Sequence, residues 1–255
     1  MPILALIKLT AMDLVRRRIF VLLALFAFTM VLLSFFLRDL TIGQWTRLIT
    51  DVGLGATDLA LTLLAIFVGA SLIAGDLDKR TLLPLLAKPL SRTSFIYGRF
   101  LGLFAILAAL VTATSAGTAA MLWLSRQSDY GTFLAQNGVT IFVSSFTLGS
   151  IAILMSCITS TTLASITALT CYLAGHLTSN LAYFAGKLPS GPVRWFLMGF
   201  SKLLPNLELL NLKDLASRGE TISASDLLVR VGYGVAYSII TLSLGAIVFA
   251  RRDLK

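Results

Sequence analysis

Charge is what this chain has least of. Asp, Glu, Lys and Arg make up 13% of its 255 residues, against about 25% in soluble domains. With 57% of the residues hydrophobic, the polar surface needed to cover a soluble core is missing, and an ordinary soluble domain is excluded. Histidine occurs once, as His176, and cysteine twice, as Cys157 and Cys171. Both cysteines sit in apolar runs, where they serve as small buried hydrophobes. Two are too few for a disulfide framework or a metal signature. Alternation with a period of two is absent, which argues against a membrane β-barrel. No Walker A, HExxH or GxSxG pattern occurs, so no nucleotide-binding or hydrolytic equipment is expected.

What the chain does have is apolar runs near the length of a bilayer crossing, about 20 residues. Spans are expected at about 19–37, 52–75, 100–124, 138–158, 162–186 and 228–250. The expected fold is an all-α integral membrane protein with six transmembrane helices, forming a single transmembrane domain over 1–255. The first run follows Arg16, Arg17 and Arg18, exceeds a signal-peptide core and lacks a small-residue cleavage site, so it is expected to remain as span one.

Residues 2–18 read as an N-terminal interfacial helix. Ile3, Leu4, Ile7, Ala11, Leu14 and Val15 share one face and Asp13, Arg16 and Arg17 lie opposite, with Leu6 and Leu9 blurring the pattern. Trp45 is placed as an interfacial anchor. A link of about "TSTT" joins spans four and five as a tight hairpin. The long polar segment 187–227 contains "VRWFLMGFSKLL", amphipathic and too short to span, which Pro205 ends.

The net charge of +9 would suggest nucleic acid in a soluble protein. Here the bases flank spans and set topology, and none forms a face long enough to follow a phosphate backbone. Lys8, Arg16–Arg18, Lys79, Arg80, Lys88, Arg92, Arg99, Arg251, Arg252 and Lys255 lie in short segments tight against span ends. Those segments, both termini included, are therefore expected in the cytoplasm, and 187–227 outside it.

One segment breaks the apolar pattern: "GDLDKRTLLPLLAKPLSRTSFIYGRFLG", residues 75–102. Asp78 is placed to cap a short helix carrying Lys79, Arg80 and Thr81, with Leu82, Leu83, Leu85 and Leu86 as its apolar side. Pro89 stops it, and Ser91 is an N-cap for a helix that re-enters the membrane. Gly98-x-x-x-Gly102 permits close helix packing there. By chemistry alone this is either a turnaround resting on anionic lipid or a lever docked on a cytoplasmic partner.

These residues resemble the segment after the second span in ABC-2 type exporter permeases: Asp76 and Asp78, then Lys79-Arg80-Thr81, Leu85-Leu86, Lys88-Pro89-Leu90-Ser91-Arg92 and Gly98…Gly102. With "YLAGHLTSNL", "LLPNLELLNLKD" and "FARRDLK", the whole chain resembles the multicopper-enzyme-maturation permeases, typified by the permease for nitrous-oxide-reductase assembly. Pro84 departs from that pattern, and a mid-helix proline removes a backbone bond. The resemblance implies an exporter subunit in a bacterial or archaeal cytoplasmic membrane. It implies pairing with a second copy of itself and with a cytoplasmic ABC ATPase dimer, which would bind ATP and Mg; no cofactor is expected on this chain. The coupling residues it implies are Asp76, Asp78, Lys79, Arg80, Thr81, Leu82, Leu85, Leu86, Pro89, Ser91 and Arg92. A periplasmic protein is a further candidate partner.

Three polar features inside or beside the spans are candidate pathway or gate residues. Asp58, in span two, either faces protein and a pathway or reaches headgroup water. His176 and Asn180 share a face of span five, as a substrate or proton site or as an interhelical hydrogen bond. Pro205, Asn206 and Glu208 mark an outer gate, a dock for a periplasmic protein or a solvated turn. An autonomous secondary transporter or channel would want internal repeats or matched broken helices, neither of which is clear. An intramembrane enzyme would have only Asp58 and His176 to work with.

Overall fold

Long apolar stretches of Leu, Ala, Ile and Phe satisfy their backbone groups internally only as helices in a bilayer, and helices are what form. The computed structural model describes residues 2–36, 45–78, 92–124, 130–188, 191–213, 215, 218 and 220–251. The helices are α1 (Pro2–Val15), α2 (Arg18–Phe36), α3 (Trp45–Asp78), α4 (Arg92–Leu124), α5 (Gly131–Ile158), α6 (Thr161–Lys187), α7 (Pro192–Leu203) and α8 (Ala224–Arg251), with a 3-10 turn at Leu207–Leu210. Four of them, α3, α4, α5 and α8, are long and apolar enough to cross a membrane, and α1 with α2 makes a fifth if that bent pair is one span. The chain is thus a multi-pass helical membrane protein. α6 is 27 residues long but rich in Thr and Ser, and is not in that set.

Helices start earlier than hydropathy alone suggests. α3 begins at Trp45 rather than 52 and α5 at Gly131 rather than 138, while α4 begins at Arg92, ahead of its hydrophobic run at 100 and where an N-cap at position 91 would start it. Backbone hydrogen bonding continues through polar turns that a hydropathy window discards. Gln136, before the expected span start at 138, is already helical and clamps a neighbouring segment: its Nε2 donates to the Ile222 carbonyl at 2.9 Å and its Oε1 accepts from the Ile222 amide at 3.1 Å. Just beyond, the Asp226 amide donates to Ser223 Oγ at 3.2 Å, capping the start of α8.

α3 and α5 form the centre. In their most apolar stretches 72% of residues are buried, against 44% for α4 and 39% for α8. Small residues let the pair close up: a Cβ on Gly69 would sit 3.0 Å from Ala152 Cβ and 3.1 Å from the Gly149 carbonyl. Hydroxyls join the helices, with Ser150 Oγ 2.6 Å from Thr241 Oγ1 and the Ala74 amide donating to Ser156 Oγ at 2.8 Å. Only Thr159 and Ser160 separate α5 from α6, so the expected tight hairpin is present.

α1 meets α2 at a bend of 69°, and the packed face of α1 differs from the expected one. Leu6, Thr10 and Leu14 are buried, while Leu4 and Val15 are exposed. Leu6, which seemed to blur the pattern, is the residue that fits: a Cβ on Gly98 would lie 2.5 Å from Leu6 Cδ2, and one on Gly102 2.5 Å from Thr10 Cβ. The Gly98-x-x-x-Gly102 groove on α4 therefore receives α1. Arg99, between the two glycines, is 4% exposed and lies 3.7 Å from Asp13 Oδ2 and 3.5 Å from Thr10 Oγ1. Arg17 of the bend donates to Ser71 Oγ on α3.

α7 has Pro192 at its first position, where the missing N–H costs nothing, and ends before Pro205. Val193, Trp195 and Phe196 are exposed on it, as suits an interfacial helix.

Candidate functional site

The candidate polar residues, separated by up to 150 positions in sequence, meet at the end of the bundle that carries residues 191–223. Asp58 sits about four turns inside α3 from Trp45 and is 6% exposed. After the 3-10 turn, the chain descends to it, and Lys213 Nζ donates to Asp58 Oδ2 at 2.6 Å. A carboxylate left alone at such a place would be costly; the lysine supplies the opposite charge. Burial works against the Lys213 ammonium, but the charge of Asp58 and its hydrogen bond outweigh that and raise the lysine pKa above its ordinary 10.5.

A second contact lies alongside. His176 of α6 is 3.2 Å from Glu208 Oε2 through Nδ1, which assigns the proton to Nδ1 whether the ring is neutral or charged. Tyr172, one turn earlier, presents its ring edge-on at 4.9 Å. Glu208 also accepts from Asn211 Nδ2 at 3.3 Å. His176 Nε2 is buried without a hydrogen-bond partner among the described residues. Asp58, Ser144, His176, Asn211 and Lys213 line a small cavity of about 10 Å³, room for about one water.

The turn itself is held at its apolar points. Leu207 and Leu210 are buried, and the Asn206 amide donates to Tyr233 Oη of α8 at 2.8 Å. Arg230 donates to the Leu209 carbonyl. Gly175, one residue before His176, allows the approach: a Cβ there would lie 2.8 Å from both the Pro205 carbonyl and Leu207 Cδ1. Gly175→Leu is expected to push the 204–213 segment off α6, at a cost on the order of 1–3 kcal/mol from overpacking. Limited trypsin digestion reads this as faster cleavage at Lys213; an unchanged rate would show that the segment is not seated on α6.

Asp58 and His176 share the small cavity, with Glu208 joined to it through His176, while Pro205 and Asn206 lie on the same segment and meet Gly175 and Tyr233 instead. The side chain of Asn180 lies outside the described residues, as do those of Asp76, Asp78 and Arg92 and the whole of Lys79, Arg80, Thr81, Leu82, Leu85, Leu86, Pro89 and Ser91. Lys213, Tyr172 and Asn211 were not legible as partners beforehand. The signal for Lys213 was indirect: a buried acid in a span asks for a base, and the outer segment offers several.

A bundle of this kind, with an elbow helix before its first span and a polar clasp under a long connecting segment, acquires a family from comparison. The match to the family described as ABC-2 family transporter protein runs over residues 4–254. The chain belongs to the ABC-2 transporter family. It is therefore the membrane component of such a transporter, and an ABC ATPase is the kind of partner that ABC-2 permeases normally pair with. No curated protein matches the chain. The 204–213 segment is tied to α3 and α6 by charged contacts and to α8 by hydrogen bonds, so moving α3 or α6 relative to it stretches a charged contact.

Proposed function

We propose that this chain is the permease subunit of an ABC exporter, with six spans formed by α2, α3, α4, α5, α6 and α8. Two copies make the translocation path and couple to a separately encoded ATPase dimer that binds ATP and Mg. Both termini and residues 76–92 lie in the cytoplasm of a bacterial or archaeal cell, and the 191–223 end faces outward. The subfamily is that of the multicopper-enzyme-maturation permeases, on the motifs quoted above. The observation that carries this reading is the family match over 4–254.

The geometry supports a lever arrangement. α3 and α4 have 34 and 33 residues, roughly 50 Å each at 1.5 Å per residue, where a bilayer core needs about 30 Å. The excess takes α3 past its expected boundary at 75 to Asp78 and starts α4 at Arg92, about two turns before its expected boundary at 100. A push on the 76–92 segment is transmitted along α3 to Asp58, and so to the Lys213 clasp. In this reading the clasp holds the outer end closed, and ATP-driven movement of α3 releases it.

Replacing both Leu82 and Leu85 with Glu is expected to abolish co-purification of the ATPase while leaving the permease folded, as judged by its size-exclusion profile. Retention of the ATPase at wild-type levels would sink the docking role. Mass photometry of the complex is expected to give two copies of this chain; one copy would remove the homodimer.

A further inference from the structure

A groove of about 280 Å³ runs between α1 and α4, lined by Ala11, Met12, Val15, Arg16 and Ile106. Its walls are apolar, and among the described residues that line it Arg16 alone is charged. The charges around the bend are sorted. Asp13 is turned toward Arg99 at 3.7 Å, and Arg17 toward Ser71. Lys8, Arg16 and Arg18 are exposed and make no ion pair among the described residues. Beside them Leu4, Leu9, Met12 and Val15 are exposed too. A basic, apolar helix bent 69° from the next one suits the plane of a bilayer surface.

An apolar slot with an uncompensated cation at one side is complementary to a molecule with a hydrocarbon tail and an anionic head. We propose that this groove binds one anionic phospholipid, an acyl chain lying along Ala11, Met12, Val15 and Ile106 and the phosphate on Arg16. A phosphodiester accepts the guanidinium's paired N–H donors; in phosphatidylglycerol no headgroup cation competes for it, as choline does in phosphatidylcholine, and the neighbouring Lys8 and Arg18 add attraction without defining the position. The bound lipid wedges between α1 and α4 next to the Arg99–Asp13 contact, and so fixes the angle of the elbow. This proposal rests on α1 lying at a bilayer surface and not on the transporter reading, and its test needs no ATPase.

The test uses purified full-length protein in detergent and native mass spectrometry with phosphatidylglycerol and phosphatidylcholine of matched chains. Wild type is expected to retain phosphatidylglycerol about fivefold better, the attraction of one basic residue for an anionic headgroup. Arg16→Gln is expected to bring the two lipids to parity, whereas Arg18→Gln keeps most of the preference. Val15→Trp fills the groove from its exposed side and is expected to lower retention of both lipids. Thermal melting without added lipid should be the same for all three variants, since none of these side chains is in the core. Equal retention of the two lipids by wild type overturns the proposal, as does a preference that survives Arg16→Gln. Equal loss in Arg16→Gln and Arg18→Gln reveals diffuse charge attraction rather than a site, and also overturns it. So does an Arg16→Gln variant that loses self-association or a protein partner with its lipid ratio unchanged.

Discussion

Replacing Lys213 with methionine is expected to destabilise the protein by about 2–4 kcal/mol, the upper part of that range being the cost of stranding one member of a buried ion pair. The lysine side chain is 27% exposed and that of Asp58 9%, so water screens part of the loss. In detergent this should appear as a fall in melting temperature of roughly 5–10 °C. Asp58→Asn combined with Lys213→Met should recover most of it, because the stranded carboxylate is gone. Glu208→Gln is the contrast: His176 and Glu208 are 25% and 45% exposed, and exposed pairs contribute less than about 1 kcal/mol. If Lys213→Met and Glu208→Gln melt alike, the buried clasp is not what holds the outer segment.

The pH dependence of that clasp follows from the raised lysine pKa. A cation held above its unfolded value contributes fully below that value and loses its contribution as pH rises through the folded one. The gap in melting temperature between wild type and Lys213→Met is therefore expected to stay constant from neutral pH up to the ordinary lysine value of 10.5. It should close only at still higher pH. A gap that closes near neutrality would show that another group governs the pair.

The second large effect concerns the elbow. Gly102→Val is expected to detach α1 from α4. The new Cβ would fall 2.5 Å from Thr10 Cβ and 3.2 Å from the Ile7 carbonyl, and neither atom is the end of a flexible side chain. Overpacking costs about 1–3 kcal/mol, and the 3.7 Å contact between Arg99 and Asp13 is lost with it. Gly55→Val is the control, since a Cβ there meets nothing within 4 Å. Spin labels at positions 8 and 101, on the exposed sides of α1 and α4, should show a broadened distance distribution in Gly102→Val and the wild-type distribution in Gly55→Val. A narrow distribution in Gly102→Val would mean that α1 is held by something other than the glycine groove.

Most of the helix inventory was legible in advance because lipid leaves so few options. Any apolar stretch of span length must be helical to satisfy its own backbone, so the long helices lie where the hydrophobic runs do. Pro205 and the short Thr159-Ser160 link ended helices as their chemistry requires. What hydropathy misjudged were the polar first turns at Trp45 and Gly131, because helix formation depends on backbone bonding and not on side-chain solubility; the start at Arg92 was legible from the capping pattern instead.

The face of α1 was misread for a related reason. Counting apolar positions cannot tell a side turned to lipid from a side turned to another helix, since both are apolar. Leu6 is buried and Leu4 is exposed because α4 offers a glycine groove at Gly98 and Gly102.

Asp58, His176 and Glu208 stood out in the sequence as polar groups in or beside spans, each with a separate bland explanation. That they form one cluster depends on the fold of the 204–213 segment over Gly175. Local sequence determines which residues are costly to bury and where helices run. Only the tertiary structure decides how that cost is met, because the base that neutralises Asp58 lies 155 residues away and reaches it through packing that no local pattern encodes.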